Sequence, residues 1–207
     1  GAEPIFIDAA ANNLQLDLDL LADFLEHHTD FTDAKCFFKG TQRRIRAIVP
    51  VHVLGDFCDM DRLLELARSR GIPVLEDAAA AFGASFDDKP AGSMGLLGTL
   101  SFNGNKILTT GGGGAVLTND SQLADRIRHL AHQAKSFPLE YIHDAIGFNY
   151  GMPNLNAAFG LGQLARLPEF WAKKQAIRAE YEAAFIDVRA ISLTPHGDLH
   201  RKCGYWL

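Results

Sequence analysis

Long apolar runs, an excess of basic residues and paired cysteines are all missing from this 207-residue sequence. No apolar run approaches the roughly 18 residues that a membrane-spanning helix needs. Residues 1–7 have neither the basic start nor the apolar stretch of a signal peptide. The formal net charge of −5 gives no basic surface that would attract nucleic acid or an anionic membrane. We therefore expect partners that are neither nucleic acid nor membrane.

The cysteines and histidines show none of the spacings that mark disulfide frameworks or metal sites. Cys36, Cys58 and Cys203 are far apart, odd in number and form no CxxC pair. This usage is typical of a reducing compartment and favours a cytoplasmic location. All three are expected to be small buried thiols. The eight histidines include no HExxH or comparable spacing, so no metal site is predicted.

The sequence does contain a regular alternation of short apolar runs with longer segments of helical periodicity. Strands are predicted at residues 5–8, 45–53, 73–76, 99–102 and 115–118, and helices at residues 14–28, from Asp59 or Asp61 to 70, 121–135, 156–167 and 169–185. Residues 31–42 are mixed and turn-like. Strands separated by helices indicate the α/β class, with a mainly parallel sheet covered by helices on both faces.

Polar residues stand at the carboxyl ends of three predicted strands, where open α/β sheets bind ligands. They are His52, Asp77 and the stretch SFNGNK at residues 101–106. The local sequence fits at least as well an Asp77 that only caps the next turn. A lone lysine in a loop, such as Lys106, is usually a solvated charge. A lysine at the mouth of a sheet can instead be desolvated, lose basicity and form a Schiff base.

Together these residues match what pyridoxal phosphate chemistry requires. An aspartate such as Asp77 keeps the pyridine nitrogen protonated, so that the ring acts as an electron sink. A lysine such as Lys106 holds the aldehyde and moves a proton as general base and acid. Ser101 offers a hydroxyl for the phosphate. The glycines at residues 111–114 let backbone approach closely, although such a run can also be only a turn.

Three segments resemble the DegT/DnrJ/StrS family of sugar aminotransferases, which are fold-type I pyridoxal-phosphate enzymes. They read AIVPVHVLGDFCDMDRLLELARSRGIPVLEDAA, GTLSFNGNKILTTGGGGAVLTND and IGFNYGMPNLNAAFGLGQLARLPEF. The similarity extends across nearly the whole chain, and SFNGNK followed by TTGGGG is highly specific. The resemblance implies a three-layer α/β/α large domain of the aspartate-aminotransferase type over residues 1–168. Residues 169–207 would be a connecting helix and the start of a small C-terminal domain.

Carried over by position, the resemblance implies roles for five residues. Lys106 matches the Schiff-base lysine, Asp77 the partner of the pyridinium nitrogen and Ser101 the phosphate-binding serine. His52 lies in the family's PVH strand and would line the site. Asn149, in GFNY, matches a segment that reaches the active site of the neighbouring subunit. The resemblance therefore implies a homodimer with shared active sites.

The sequence departs from the family pattern in three places. Ala80 stands where the family usually has Gln or Glu, so a cofactor-binding side chain near the ring hydroxyl is absent. Gly151 stands where many members have Arg in NYR, which removes a side chain facing the partner's site. The resemblance also implies that the chain begins after the family's first strands and stops near the YWL motif at residues 205–207. The missing start would supply a phosphate-binding turn and a ring-stacking residue.

The expected reaction follows from the resemblance. The SFNGNK wording and the insertion at residues 31–46 look most like members that make 4-amino sugars for bacillosamine, legionaminic acid or perosamine. Such an enzyme moves an amino group from glutamate to a nucleotide-linked 4-keto-6-deoxy sugar, for surface polysaccharide or nonulosonic acid. Sugar dehydratases of the family carry a histidine in place of the lysine, so Lys106 argues against that alternative. The departures at Ala80 and Gly151, together with the truncation, leave a third alternative open, a catalytically impaired remnant or binding module of the same fold.

Overall fold

A computed structural model describes residues 1–137, 140–194 and 197–206 of the chain. The helices are α1 (Leu18–His27), α2 (Met60–Ser69), α3 (Ser121–Ala131), α4 (Asn154–Ala165) and α5 (Leu167–Phe185), with one 3₁₀ turn at Val53–Gly55. The strands are β1 (Thr29–Thr32), β2 (Lys35–Phe38), β3 (Arg43–Arg44), β4 (Leu75–Asp77), β5 (Ser85–Phe86), β6 (Lys89–Pro90), β7 (Leu97–Ser101), β8 (Gly114–Leu117) and β9 (Arg201–Lys202). The chain contains both helices and sheets, which is consistent with the α/β class.

Strand β4 lies at the centre of the sheet that carries the predicted site residues. On one side it pairs in parallel with β7, and β7 then pairs antiparallel with β8. On its other side the extended segment at residues 45–52 runs parallel to β4, through the bridges Ile48–Val74 and Val51–Asp77. Pro50 interrupts this segment because it has no N–H to donate, although its carbonyl accepts from Asp77 N at 2.9 Å. The predicted strand at 45–53 is therefore present as an extended, bridged segment.

One face of this sheet packs against α1 and α2. Each helix begins at an aspartate whose carboxylate accepts backbone N–H groups of the first turn, Asp17 for α1 and Asp59 for α2. Both helices contribute apolar side chains to one buried core, which also contains Ile48, Phe57 and Val74. Burial drives this packing because α1 and α2 each present one apolar stripe.

The opposite face of the sheet is partly open among the residues that the structure describes. Val49 and Val51 expose 55% and 46% of their surface although they alternate with buried neighbours, and Val116 on β8 exposes 47%. Helices α3 and α5 contain no buried residue, and α4 buries only Gly160. This distribution concentrates the core on the side of α1 and α2.

Two sequence predictions of secondary structure are wrong. Residues 5–8 form no strand, and Phe6 is 87% exposed, because no described segment pairs with them. Residues 31–42 contain a hairpin in which β1 pairs antiparallel with β2, where a mixed, turn-like segment was predicted. Asp33 and Ala34 form its tight turn with φ of 51° and 56°. Two-residue hairpin turns are usually recognised in a sequence by Asn-Gly or Asp-Gly. Residues 33 and 34 are Asp-Ala, so the sequence did not predict this turn.

The cysteine prediction is confirmed: Cys36, Cys58 and Cys203 are buried free thiols. Within the described ranges, none of the helices is both long and apolar enough to cross a membrane.

Candidate active site

Asp77 and Ser101 end neighbouring parallel strands and therefore lie at the same edge of the sheet. In the register of β4 and β7, Asp77 is opposite Thr99, so Ser101 is two residues further along its strand. Asp77 Oδ1 accepts a hydrogen bond from Ala79 N at 3.0 Å, which turns the chain away from the strand end. The second oxygen, Oδ2, has no hydrogen-bond partner among the described residues. The carboxylate thus keeps one oxygen for another group.

Lys106 is held near this edge by the loop that connects β7 to β8. Phe102 N donates to Gly113 O at 2.9 Å and Thr110 N donates to Phe102 O at 3.0 Å, which closes the base of the loop. Inside it, Lys106 N donates to Asn103 O at 3.0 Å. Partial burial lowers the pKa of the Lys106 amine, and the negative charge of Asp77 opposes that shift. The two side chains are therefore close enough to interact electrostatically.

The glycine run after Lys106 adopts backbone conformations that favour glycine. Gly111 and Gly113 have φ of 79° and 108°. A side chain at Gly104 or Gly112 would meet no other atom within 4 Å. The loop therefore borders open space at Gly104 and Gly112.

His52 is placed beside the site strand but inside the core. It has no exposed surface, its ring lies 4.6 Å from that of Phe57, and Nε2 lies 2.9 Å from Glu76 Oε2. Its other ring nitrogen, Nδ1, is buried with no hydrogen-bond partner among the described residues. The structure thus gives His52 a partner in the core, and its role in lining the site stays a prediction.

Asn149 and Ala80 lie elsewhere around the site. Asn149 is exposed, on a segment that pairs with the end of α3 through the bridge to His132. In the described part of the chain it contacts neither Asp77 nor Lys106. Ala80 is half-buried in the turn that follows β4. The structure therefore brings Asp77, Ser101 and Lys106 to one edge and leaves Asn149 facing outwards.

Two residues of this region were not predicted from the sequence. Glu76, one residue before Asp77, is fully buried and accepts from Gly92 N, Met94 N and Gly95 N at 2.9, 2.6 and 2.6 Å. Trp206 lies against Lys106 from the far end of the sequence. Glu76 could have been singled out from the sequence, because a charged residue inside an apolar strand needs buried hydrogen-bond partners. No sequence pattern near Trp206 indicates its contact with a loop about 100 residues earlier.

Comparison with known proteins gives a consistent result over the whole chain. The profile of the DegT/DnrJ/EryC1/StrS aminotransferase family matches residues 1–207. GDP-perosamine synthase of Caulobacter vibrioides is 37% identical over 207 residues, which is 100% of this chain and 52% of the relative. GDP-perosamine synthase of Escherichia coli O157:H7 is 38% identical over 182 residues, 88% of this chain and 46% of the relative. The chain thus spans about half the length of these curated relatives.

The fold of this chain is also found in solved structures of aminotransferases. The crystal structure of a DegT DnrJ EryC1 StrS aminotransferase from Brucella abortus superposes with a TM-score of 0.86 at 28% identity. That superposition covers 100% of this chain and 52% of the other. The predicted α/β fold of the aspartate-aminotransferase type is confirmed by this similarity.

Proposed function

Since the chain belongs to the DegT/DnrJ/EryC1/StrS family of pyridoxal-phosphate-dependent aminotransferases, we propose that this protein transfers an amino group from glutamate to a nucleotide-linked 4-keto-6-deoxy sugar. The observation that carries the proposal is that Asp77, which keeps one carboxylate oxygen without a hydrogen bond among the described residues, interacts electrostatically with Lys106, an amine whose pKa burial lowers. The similarity to two GDP-perosamine synthases supports a nucleotide sugar as the acceptor. We also propose residues 1–168 as part of the cofactor-binding domain and residues 169–207 as the passage to a second domain.

The side chains at the sheet edge fit pyridoxal phosphate in the part of the site that they form. A pyridinium nitrogen needs an anionic acceptor, which the unpartnered oxygen of Asp77 provides. An aldehyde reacts with a neutral amine, and burial lowers the pKa of Lys106 in that direction. A phosphate needs donors, which Ser101 and the open backbone around Gly112 can supply.

Each residue has one task in the proposed reaction. Bound pyridoxal phosphate supplies the electron sink that allows a proton to leave the carbon bearing the amino group. Asp77 keeps a proton on the ring nitrogen by accepting its hydrogen bond. Lys106 Nζ would hold the cofactor through its aldehyde and, as a free amine, would serve as the general base and acid that moves a proton. Ser101 Oγ donates to the phosphate and fixes its position.

Covalent trapping tests the proposal. Borohydride reduction of the cofactor-loaded protein, followed by peptide mapping, should place the label on Lys106 alone, because that amine lies at the sheet edge near Asp77. Label on Lys89 or Lys135 instead would overturn the assignment. Neither of those lysines belongs to the 101–106 loop.

The variant Asp77→Asn separates cofactor binding from catalysis. It should still be labelled at Lys106, because the lysine is intact. It should lose roughly tenfold or more of the rate with glutamate, since a neutral amide cannot keep the ring nitrogen protonated and a charge-assisted hydrogen bond contributes about 1.5–3 kcal/mol. An unchanged rate of the glutamate half-reaction would exclude the role of Asp77.

A further inference from the structure

The indole ring of Trp206 covers the amine of Lys106. The Lys106 Nζ atom lies 3.5 Å from the centre of the ring, within the range of a cation–π interaction. Trp206 Nε1–H donates to Asn105 O at 2.7 Å, so the ring is bonded to the residue that precedes the lysine. The ring and the amine are therefore fixed to the same loop.

The backbone that carries Trp206 is itself anchored at several points. Gly204 N donates to Gly55 O at 3.1 Å, and Lys174 Nζ, on α5, donates to Trp206 O at 2.9 Å. Further back, Arg201 Nη1 forms an ion pair with the buried carboxylate of Asp56 at 3.4 Å. These bonds hold residues 201–206 against the 3₁₀ turn and α5, so that Trp206 reaches the loop from an anchored segment.

We propose that Trp206 is a positioning residue for the Lys106 amine. A lysine side chain has a flexible stem of four carbons and samples many rotamers in water. The indole face attracts the ammonium, restricts it to one region above the ring and excludes water from that side. The inference rests on the proposed function only in taking Lys106 as the reacting amine. Its contact with Trp206 can be measured whether or not the protein binds a cofactor.

Competitive acetylation measures that contact directly. The chain is treated with acetic anhydride at several pH values, and peptide mapping gives the rate at Lys106 relative to the exposed Lys89. In Trp206→Leu an apolar but smaller side chain remains and the ring is lost, so Lys106 should be acetylated at least roughly threefold faster. The lost shield and the lost attraction for the ammonium act in this direction, whereas rehydration of the ammonium raises its pKa and opposes them. The comparison is therefore made at the highest pH of the series, where the amine is least protonated and the shield dominates. An unchanged relative rate would overturn the proposal.

Two matched variants identify the cause. Trp206→Phe keeps an aromatic face but loses the hydrogen bond to Asn105 O, so its Lys106 rate should stay near that of the unmodified chain. If it is as reactive as Trp206→Leu, the hydrogen bond holds the loop and the ring is not responsible. Trp171→Phe changes the other of the chain's 2 tryptophans and should leave Lys106 unaffected. Acceleration in that control would mean that any loosening of α5 exposes the lysine.

A second measurement leaves Trp206 in place. In a Trp171→Phe background the fluorescence comes from Trp206 alone, and Lys106→Met removes the ammonium from its ring. The emission of Trp206 should change in wavelength or intensity, and an identical spectrum would contradict the contact. A third measurement tests the proposed function separately. Pyridoxal phosphate should protect Lys106 from acetylation in the unmodified chain. Absence of protection counts against the proposed function, whereas absence of the rate change or of the spectral change overturns the role of Trp206.

Discussion

At the scale of single residues, the carboxylate of Glu76 connects three parts of the structure. It belongs to β4, accepts backbone N–H groups from the turn at residues 92–95, and bonds His52 on the segment that runs along the other side of β4. Both carboxylate oxygens have two donors, which is how a buried charge can be accommodated. Because Asp77 is the next residue, Glu76 fixes the strand end from which Asp77 enters the candidate site.

The variant Glu76→Gln should be strongly destabilised. An amide group places N–H donors where the carboxylate accepted two hydrogen bonds, so two buried donors lose their acceptor whichever way the amide is oriented. We expect the free energy of unfolding to fall by about 3 kcal/mol, measured by urea denaturation. Glu65→Gln, on the exposed side of α2, is the matched control and should stay within about 0.5 kcal/mol. Equal stability of the two variants would contradict the role of Glu76.

The same carboxylate makes stability depend on pH in a defined direction. Burial alone would raise the pKa of Glu76, but hydrogen bonds from His52 and from the amides of Gly95 and Gly92 outweigh it, so the pKa is lowered from 4.5. A lowered pKa means that Glu76 stabilises the fold above pH 4.5, and that this contribution is lost as the pH falls through the folded value. The stability difference between the chain and Glu76→Gln should therefore shrink below pH 4.5.

At the scale of helices and strands, the features that were predicted correctly are those that interactions between residues close in sequence determine. Helix α2 begins and ends as expected, because Asp59 caps it and Gly71 with Pro73 follows its last turn. The positions of Asp77 and Ser101 at the ends of neighbouring strands were also predictable, since a polar residue after an apolar strand is a local signal. The three backbone amides that bind Glu76 could not be predicted, because they come from a turn 16 to 19 residues further along the chain. Long-range pairing, rather than propensity, decides such contacts.

Strand β7 and the turn at residue 92 approach so closely that only glycine fits. A Cβ on Gly98 would lie 2.0 Å from Gly92 O and 2.4 Å from Gly92 Cα. Gly92 cannot move away easily, because its N–H is bonded to Glu76 and its φ is 83°. Gly98→Ala should therefore lower the free energy of unfolding by about 2 kcal/mol, in the range of overpacked cores.

The site loop offers the control for that substitution. A Cβ on Gly104 would meet nothing within 4 Å, and its φ is not in the left-handed region. Gly104→Ala should leave stability unchanged or raise it slightly, because alanine has less conformational freedom in the unfolded chain. Chemical denaturation compares the two variants. A Gly98→Ala protein as stable as Gly104→Ala would mean that the turn and the strand separate without cost.

At the scale of the whole molecule, α4 has the composition of a buried helix but the exposure of a surface one. Leu155, Phe159, Leu161 and Leu164 expose between 48% and 83% of their surface, and they point to different sides of the helix. A helix that is apolar on all sides is normally buried. The adjacent rings of Phe148 and Tyr150 stack 5.0 Å apart on the surface, beside Asn149. We propose that a second copy of the chain covers this surface, in a homodimer with two-fold symmetry.

Subunit mixing tests whether the sites are shared in that dimer. If Asn149 completes the site that contains the partner's Lys106, then a mixture of Asn149→Ala and Lys106→Ala subunits contains hybrids with one intact site. The other site of each hybrid carries both defects. Random assortment makes half of the dimers hybrid, and one of their two sites works, so roughly a quarter of the normal aminotransferase activity should return. Each parent should be weak alone.

The controls for the mixing experiment come from the exposed apolar residues. Leu161→Glu in both parents places a charge on α4, where Leu161 is 69% exposed, and should abolish both the dimer and the recovery. Leu20→Glu, at a 47% exposed position on α1, should change neither, because α1 packs into the core and is not part of the apolar surface of α4. Sedimentation reports the assembly state of each mixture. A monomer at working concentration, or a dimer whose mixture is no more active than its parents, would show that each subunit completes its own site.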